Sequence, residues 1–490
     1  MIGVGIGIPF FKSFGGIDAQ AQAHFNRVIA DGGLIPSGLS GVNAFFTTVK
    51  TIYGTADITT AISVGLDAQV LGYKLGAGAG TTAGQAAQKL YSCSGASGDV
   101  VQTTAASQPL LLVHSGANYW WGSGISGSYC TTPNSLANTI TGDIEIKAKI
   151  NIPNFSGQKS IIVKSEGVGA AAGFAYNFFV NNGGLGFGYS TIGTTGTRIT
   201  SVSSADLVSI GYSVNTDIFV SVSRNAVTGD IVFKYSFDGT TYTQLGGTVS
   251  STPSLIFGLN SSVVVGNWSD IIFFFEGRIY SVSISNTIGG SSTQTFNPNS
   301  YNAATSQTQW TSSTGEIWSV QTGTATTGYK GVLVDRSITM FDGINDQLLS
   351  GTIATYQYIT SNVSARTYNM VSSSTIITGS NDSHAIFNNG GTMSAYNQSV
   401  LSFGVGLLNN LRNLQANFNG GSSETFTNNI LGNTGNTGAF TATQVRLGNN
   451  PVGPFTNCLI NTAITTIAVM TNTQKNEMYD YIRSINNNAF

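Results

Sequence analysis

The stretch that decides the fold is residues 217–246, which read DIFVSVSRNAVTGDIVFKYSFDGTTYTQLG. Apolar side chains recur at every second position in its later half, at Ile231, Phe233, Tyr235 and Phe237. A period of two is typical of a strand that presents one face to a core. Gly229 can adopt the positive φ that a hairpin turn needs, and Asp238-Gly239 indicates a second turn. We therefore predict three antiparallel strands in a meander.

This meander resembles the central hairpins of concanavalin A-like, laminin-G-like jelly rolls, in the form common among structural proteins of tailed-phage virions. Residues 277–284 (GRIYSVSI) resemble a late strand of that group. Residues 295–298 (TFNP) and 315–318 (GEIW) resemble its closing segment. The group's usual aspartate before the proline is Asn297 here, which weakens the inference of a cation at that position.

Two further segments resemble parts of the same group. Residues 90–99 (LYSCSGASGD) with 102–110 (QTTAASQPL) resemble the segment that precedes many laminin-G-like domains, although Ser92 replaces its first aspartate. Residues 338–348 (ITMFDGINDQL) resemble the opening strand of another such sandwich, and residues 465–483 resemble its closing strand and final helix. The resemblance implies a mainly β chain: two tandem concanavalin A-like jelly-roll β-sandwiches behind a small helical and extended N-terminal region.

We place the boundaries at residues 1–75 for an N-terminal attachment region, 76–327 for the first sandwich and 328–490 for the second. In the first sandwich we predict strands at residues 143–152, 160–164, 174–187, 262–266 and 271–284. In the second we predict strands at residues 365–372, 392–396, 414–418, 444–447 and 465–469. On residues 143–152 alternation places isoleucines inside and Glu145, Lys147 and Lys149 on a wet face.

The N-terminal region combines a small-residue strand with two helices. Glycine alternates with valine and isoleucine at residues 3–8, and residues 18–30 and 41–52 carry apolar side chains at helical spacing. Met478, Tyr481 and Ile482 of the final helix are expected to pack on a sheet. The two N-terminal helices either attach the chain to the rest of a particle or pad the sandwich.

Composition narrows the class of protein. Only 9% of the 490 residues are charged, against roughly 25% in an ordinary soluble protein. With 41% hydrophobic residues the chain is nevertheless too apolar to be disordered. A net charge of −2 without runs of like charge gives no support for nucleic acid or an anionic membrane as partner. The start of the sequence lacks the features of a signal peptide, so we expect assembly in a host cytoplasm; export by a signal-less route would leave the same pattern.

No catalytic constellation is visible in the sequence. His24, His114 and His384 lie in unrelated settings, which favours surface or hydrogen-bonded core histidines over a triad. Asp143 and Glu145 are the nearest approach to the acidic strand of glycosidases of this sandwich class, and both are expected to face solvent. The three cysteines form neither a zinc motif nor a complete disulfide set. A bridge between Cys93 and Cys130 and two small buried thiols both remain compatible with the sequence, and the second is favoured.

Binding residues can be named for two kinds of ligand. Aromatic rings stack on the apolar faces of sugars, and the candidates are Tyr119, Trp120, Trp121 and Trp268. Because side chains alternate along a strand, one of Trp120 and Trp121 is expected to be exposed. The resemblance implies calcium at the rim of a sandwich, with Asp99, Asp342 and Asp346 as candidate ligands. Ordinary turn chemistry explains these aspartates equally well.

These observations predict a non-catalytic virion protein, a fibre or head decoration. Its partners are other virion proteins through the N-terminal region, further copies of the chain in a homo-oligomer, and a host-surface glycan. The alternatives are a secreted or cell-surface carbohydrate-binding protein and a glycan-degrading enzyme.

Overall fold

The computed structural model describes residues 16–486 apart from residues 77–85, 125–126, 167–171, 269–272, 302–308, 323–330, 343, 356, 368–373, 381–382, 407–410, 440 and 449–456. The strand predicted at residues 3–8, and with it the extended part of the attachment region, lies outside the described residues.

The described residues form helices α1 (Ala19–Ala30), α2 (Gly38–Tyr53) and α3 (Asn472–Ile485). The strands in chain order are β1 (Ile62–Asp67), β2 (Tyr73–Gly76), β3 (Ala86–Leu90), β4 (Val100–Val101), β5 (Leu110–Leu112), β6 (Tyr119–Ser123), β7 (Ser128–Thr132), β8 (Ile144–Asn151), β9 (Gln158–Glu166), β10 (Gly173–Asn181), β11 (Gly184–Tyr189), β12 (Ile199–Asp206), β13 (Ile218–Arg224), β14 (Asp230–Ser236), β15 (Thr243–Gln244), β16 (Val249–Ser250), β17 (Val263–Val265), β18 (Glu276–Ser285), β19 (Gln294–Phe296), β20 (Gln309–Thr311), β21 (Ile317–Thr322), β22 (Val332–Val334), β23 (Ile338–Asp342), β24 (Leu348–Ser350), β25 (Ile359–Thr367), β26 (Thr375–Gly379), β27 (Ala385–Asn389), β28 (Thr392–Tyr396), β29 (Val400–Gly406), β30 (Arg412–Phe418), β31 (Ser423–Thr427), β32 (Ile430–Gly435), β33 (Val445–Leu447) and β34 (Asn457–Thr466).

The first sandwich consists of two antiparallel sheets around one core. Sheet I has the order β15-β14-β13-β8-β18-β6-β22, with β16 beside β14 and β19 beside β18. Sheet II has the order β12-β11-β10-β9-β17-β7-β21-β20. Buried side chains from both sheets meet in a single cluster that includes Ile146, Phe178, Val222 and Trp318. The prediction of a mainly β fold of sandwiches is confirmed.

The meander is confirmed as β13, β14 and β15. β13 pairs with β14, and β14 pairs with β15, all antiparallel. Gly229 (φ 77°) and Gly239 (φ 78°) supply the positive φ in the two turns. A Cβ atom at Gly229 would lie 1.9 Å from the carbonyl oxygen of Ser251, so glycine is needed there for space as well.

Two expectations for sheet I need correction. Glu145 does not face solvent, because its carboxylate accepts a hydrogen bond from the Gly289 backbone and pairs with Lys147 at 3.2 Å. The strand predicted from residue 271 begins only at Glu276. Residues 271 and 272 lie outside the described part, and Phe273 has φ 59°, which is incompatible with a strand.

The second sandwich uses strands from both ends of the sequence. Sheet III joins β1–β5 to β23–β34 in one hydrogen-bonded network. β1 pairs with β34, β4 with β24 and β5 with β23. The strands between residues 62 and 112 therefore belong with the C-terminal sandwich, whereas the predicted division assigned residues 76–112 to the first. The strands of the first sandwich, residues 119–334, lie between these two sets in the sequence.

The three helices pack together on the second sandwich. α1 begins after Asp18, whose carboxylate accepts hydrogen bonds from two backbone amides of the first turn. α3 is capped by Thr471 in a capping box with Gln474. Phe45 of α2, Met478 of α3 and Ile464 of β34 share one buried cluster. The apolar faces of both N-terminal helices thus pad the sandwich, which was one of the two roles expected for them.

The two sandwiches meet in a buried apolar cluster. Trp121 and Tyr280 from sheet I pack there with Leu112, Met340 and Leu459 from sheet III. The segment between the sandwiches is held by an ion pair that will be called the junction pair: an Arg336 Nη2 atom lies 2.8 and 2.7 Å from the two carboxylate oxygens of Asp67. Side-chain exposure is 4% for Arg336 and 0% for Asp67.

The remaining carboxylate contacts of Asp67 come from backbone and hydroxyl donors. The Gln69 and Val70 amides donate to Oδ1, and the Thr462 hydroxyl donates to Oδ2 at 2.7 Å. Arg336 also donates to the carbonyl oxygen of Ile485 at the end of α3. The Asp67 carboxylate therefore ties β1 and β34 to the segment between the sandwiches, and Arg336 joins the end of α3 to the same group.

All three histidines are hydrogen-bonded, as expected. The burial of His384 leads us to expect that the stability of the protein depends on pH. Burial lowers the pKa of His384 to about 4 from an ordinary 6.5. Below pH 6.5 the unfolded chain takes up a proton that the folded chain refuses, so this stability is present at neutral pH and lost as the pH falls towards 4. We expect a loss of roughly 3 kcal/mol in the free energy of unfolding over that interval.

Urea unfolding at a series of pH values measures this loss. His384 has φ 53°, which asparagine tolerates, so His384→Asn is the matched variant that does not titrate. Burial also lowers the pKa of His24 and His114, and their share of the slope remains in the variant. An identical pH slope in both proteins would contradict the prediction.

Candidate functional site

The four aromatic residues predicted to bind sugar are all buried. Exposed fractions are 1% for Tyr119, 0% for Trp120 and 4% for both Trp121 and Trp268. The expectation that one of Trp120 and Trp121 is exposed is wrong. The two rings do point to opposite faces of β6, but Trp120 lies in the core of the first sandwich and Trp121 lies under the second sandwich.

Glycines make the space for Trp120. Cβ atoms at Gly266 and Gly122 would lie 2.2 and 2.6 Å from its ring. Close backbone approach of this kind fixes one ring position, so Trp120 is a core residue of the first sandwich.

Asp99 is held by cations of the protein itself. Its carboxylate lies 2.6 Å from Arg27 and 3.0 Å from Lys89, and it also accepts a hydrogen bond from the Ser92 amide. Lys89 also pairs with Asp31. Because two cations of the protein already neutralise the Asp99 carboxylate, its burial is explained without calcium.

Asp342 and Asp346 form a turn. The Asp342 carboxylate accepts hydrogen bonds from the amides of Ile344 and Asn345, and Asp346 accepts one from the Asp342 amide. These two aspartates are brought together, but Asp99 is not part of the same group. Across the described residues no set of three or more His, Cys, Asp and Glu side chains could hold a metal ion.

The cysteines are separate buried thiols. Cys93 lies in the helical cluster, Cys130 in the core of the first sandwich and Cys458 in that of the second. Burial raises the pKa of each thiol, which makes it a poor nucleophile. The favoured interpretation of Cys93 and Cys130 as small buried thiols is confirmed.

One predicted residue does belong to a chemically unusual group, which lies on the outer face of sheet II. Trp268 follows β17, and its ring stacks on Phe273 with centroids 5.3 Å apart. The ring of Phe174 in β10 lies 5.4 Å from Trp268. The guanidinium of Arg198, just before β12, lies 4.3 Å from the centre of the Trp268 ring. These residues and Asn177 of β10 will be called the outer-face cluster.

Asn177 is 0% exposed. Neither its Oδ1 nor its Nδ2 atom has a hydrogen-bond partner in the described part of the chain. Gly188 of β11 provides the space: a Cβ atom there would lie 2.4 Å from Asn177 Oδ1 and 3.0 Å from Arg198 Cδ. The amide of Asn177 and the stem of Arg198 therefore converge over one glycine.

The charge of Arg198 is likewise uncompensated among the described residues. Its side chain is half-buried, no carboxylate of the described residues pairs with it, and its Nη1 atom is buried without a partner. Desolvation lowers the pKa of Arg198. A guanidinium fixed on an aromatic face beside an unused amide can bind an oxygen-rich ligand.

Sequence reasoning found Trp268 but missed Asn177 and Arg198. An available signal was the glycine alternation in residues 184–188 (GLGFG), since Gly186 and Gly188 leave one face of β11 bare. Phe179 and Asn177 fill that face from β10. The approach of Arg198 and Trp268 from two different loops could not be read from the sequence.

Comparisons with known proteins do not assign a family. No protein-family model matches the sequence, and no curated protein is significantly similar to it. Solved structures match weakly. The sialyllactose-bound CBM40 of the Ruminococcus gnavus IT-sialidase has 13% identity, covers 34% of this chain and 90% of its own, and has a TM-score of 0.26.

Two further structures match at the same level. Domains LG4-5 of the mouse laminin α1 chain have 9% identity, cover 73% of this chain and 95% of their own, and have a TM-score of 0.26. Domain 4 of a Geobacillus stearothermophilus extracellular arabinanase, bound to arabinotriose, has 13% identity, covers 29% and 75%, and has a TM-score of 0.24. Similarities this weak leave the class of the protein, a mainly β chain of two sandwiches, resting on its own strand pairing and cores.

Proposed function

We propose that this chain is a non-catalytic structural and adhesive protein of a phage particle, whose first sandwich contacts glycans on the host surface. The observation that carries adhesion is the outer-face cluster, in which the buried amide of Asn177 has no partner among the described residues. Buried polar groups in folded proteins are nearly always hydrogen-bonded, and an exception needs an explanation. A ligand rich in hydroxyl and carboxylate oxygens supplies the missing partners.

The virion role rests on the sequence. It is supported by the resemblance of residues 217–246 and 277–284 to sandwiches of tailed-phage proteins, and by a surface with few charges. Attachment to other virion proteins and assembly into a homo-oligomer belong to the same proposal. Because α1 and α2 bury their apolar faces within the chain, attachment uses their exposed faces or residues before residue 16.

Two observations on the described residues are consistent with the non-catalytic part. Asp143 accepts a hydrogen bond from the Ala226 amide, and Glu145 is bound by Lys147 and the Gly289 amide. Both carboxylates are engaged in structure, and a glycosidase needs two that are free to act on one bond. In addition, none of the described helices has the length and apolar character required to cross a membrane.

The test combines two measurements on the full chain. Mass spectrometry of purified particles is expected to detect the protein, and a glycan array is expected to show saturable binding that a chelator leaves unchanged and that releases no reducing sugar. Glycan binding by a protein absent from particles would favour a secreted carbohydrate-binding protein. Release of sugar would overturn the non-catalytic assignment.

A further inference from the structure

We propose that the outer-face cluster is a binding site for a carboxylated sugar, with Arg198 binding the carboxylate and Asn177 binding ring substituents. This inference rests on the proposed adhesive function and names the class of sugar and the residues that select it.

The presence of Arg198 indicates that the ligand carries an acidic group. A guanidinium presents paired N–H donors whose geometry matches a carboxylate, and such charge-assisted pairs are stronger than neutral hydrogen bonds. Of the carboxylates in the described part of the chain, none pairs with Arg198, and its Nη1 atom is buried and unused. Asp99, by contrast, is bound by two cations of the protein. Arg198, which is half-buried, thus has no counter-charge among the described residues.

The presence of Asn177 indicates that the ligand also carries hydroxyl groups. Its amide offers two donors on Nδ2 and an acceptor on Oδ1, and all of them are unused in the described structure. A simple inorganic anion would satisfy the donors only. A sugar hydroxyl or acetamido group both donates and accepts, so it satisfies both ends of the amide.

The aromatic rings complete the selection. Trp268 and Phe273 stack with an interplanar angle of 25°, and Arg198 lies over Trp268, so the guanidinium is held in one plane before a ligand arrives. Phe273 and Arg198 are partly exposed, whereas Asn177 is fully buried, so a ligand reaches its amide only after a neighbouring side chain shifts. A fixed cation beside a buried amide fits a ring that carries one carboxylate and several hydroxyl groups.

Isothermal titration calorimetry on the full chain tests the site with two pairs of probes: sialyllactose against lactose, and glucuronic acid against glucose. We expect the wild-type protein to bind at least one acidic probe about tenfold or more tightly than its neutral counterpart. Arg198→Gln is expected to remove this preference. Lys234→Gln, which removes a cation from sheet I of the same sandwich, is the matched control and is expected to bind as the wild type does.

Asn177→Ala separates binding from folding. Because the amide makes no hydrogen bond in the described structure, we expect the melting temperature of this variant to stay within about 3 °C of the wild type. Its affinity for the acidic probe is expected to fall about tenfold. If Arg198→Gln and Asn177→Ala keep the wild-type affinity and preference, or if acidic and neutral probes bind equally, the site assignment is overturned.

The two proposals fail in different ways. Binding of the wild-type chain to host cells that persists unchanged in Arg198→Gln would overturn the site while leaving adhesion in place. Absence of binding to every probe, glycan and host cell would overturn adhesion and the site together.

Discussion

Asp67→Asn is expected to lower the free energy of unfolding by about 3–5 kcal/mol, the usual cost of breaking a buried ion pair from one side. The variant keeps the shape of the side chain and one oxygen for the Gln69 and Val70 amides, but it leaves the Arg336 guanidinium without a counter-charge. With 4% side-chain exposure, Arg336 cannot recover its hydration without opening the structure. Urea unfolding at neutral pH measures the loss.

Asp31→Asn is the matched control, because it makes the same chemical change in an exposed pair. Asp31 pairs with Lys74 and Lys89, and 39% of its side chain is exposed. Exposed pairs contribute about 0–1 kcal/mol, so the control is expected to unfold close to the wild type. If Asp67→Asn cost no more than Asp31→Asn, the junction pair would not hold the sandwiches as described.

Trp121→Ala is expected to cost about 3–5 kcal/mol, because it removes a large buried side chain and leaves a cavity. The position of the cavity makes the effect specific. Trp121 packs with Tyr280 on one side and with Met340 and Leu459 of the second sandwich on the other. Its loss therefore weakens the contact between the sandwiches more than the core of either one.

Differential scanning calorimetry distinguishes the two effects. We expect the wild-type chain to unfold in one transition and Trp121→Ala to unfold in two, since sandwiches with a weakened contact melt separately. Trp120→Ala is the control, because Trp120, the residue next to Trp121 on β6, lies in the core of the first sandwich alone. The Trp120→Ala variant is expected to lower the melting temperature of the first sandwich without splitting the unfolding into the two transitions expected for Trp121→Ala. Two transitions already present in the wild type would contradict the prediction.

Local patterns predicted the local structure well. The meander, both N-terminal helices, the final helix and the strand at residues 392–396 follow from periods of 2 and 3.6 and from turn residues, which act over a few positions. The course of residues 62–112 could not be predicted this way, because pairing of β1 with β34 depends on partners almost 400 positions apart.

The candidate site shows the same division. The sequence identifies aromatic residues whose rings can bind sugars, but the exposure of each ring depends on what covers its face of the sheet. Trp121 is covered by a second sandwich, and Trp268 is covered by Arg198 and Phe273. The sequence does not single out Asn177, because its significance lies in having no hydrogen-bond partner among the described residues, and a missing hydrogen bond has no signature in the sequence.

The order of the strands along the chain has a consequence for synthesis on the ribosome. Residues 119–334 are contiguous and complete the first sandwich while the last strand of the second, β34, has not yet been translated. β1 must wait for its partner β34 until more than 300 further residues have emerged, and β5 and β4 wait for β23 and β24. At roughly 5–20 residues per second this delay lasts tens of seconds. The nascent second sandwich, rather than the first, is therefore the part of this protein that depends on protection from aggregation by chaperones.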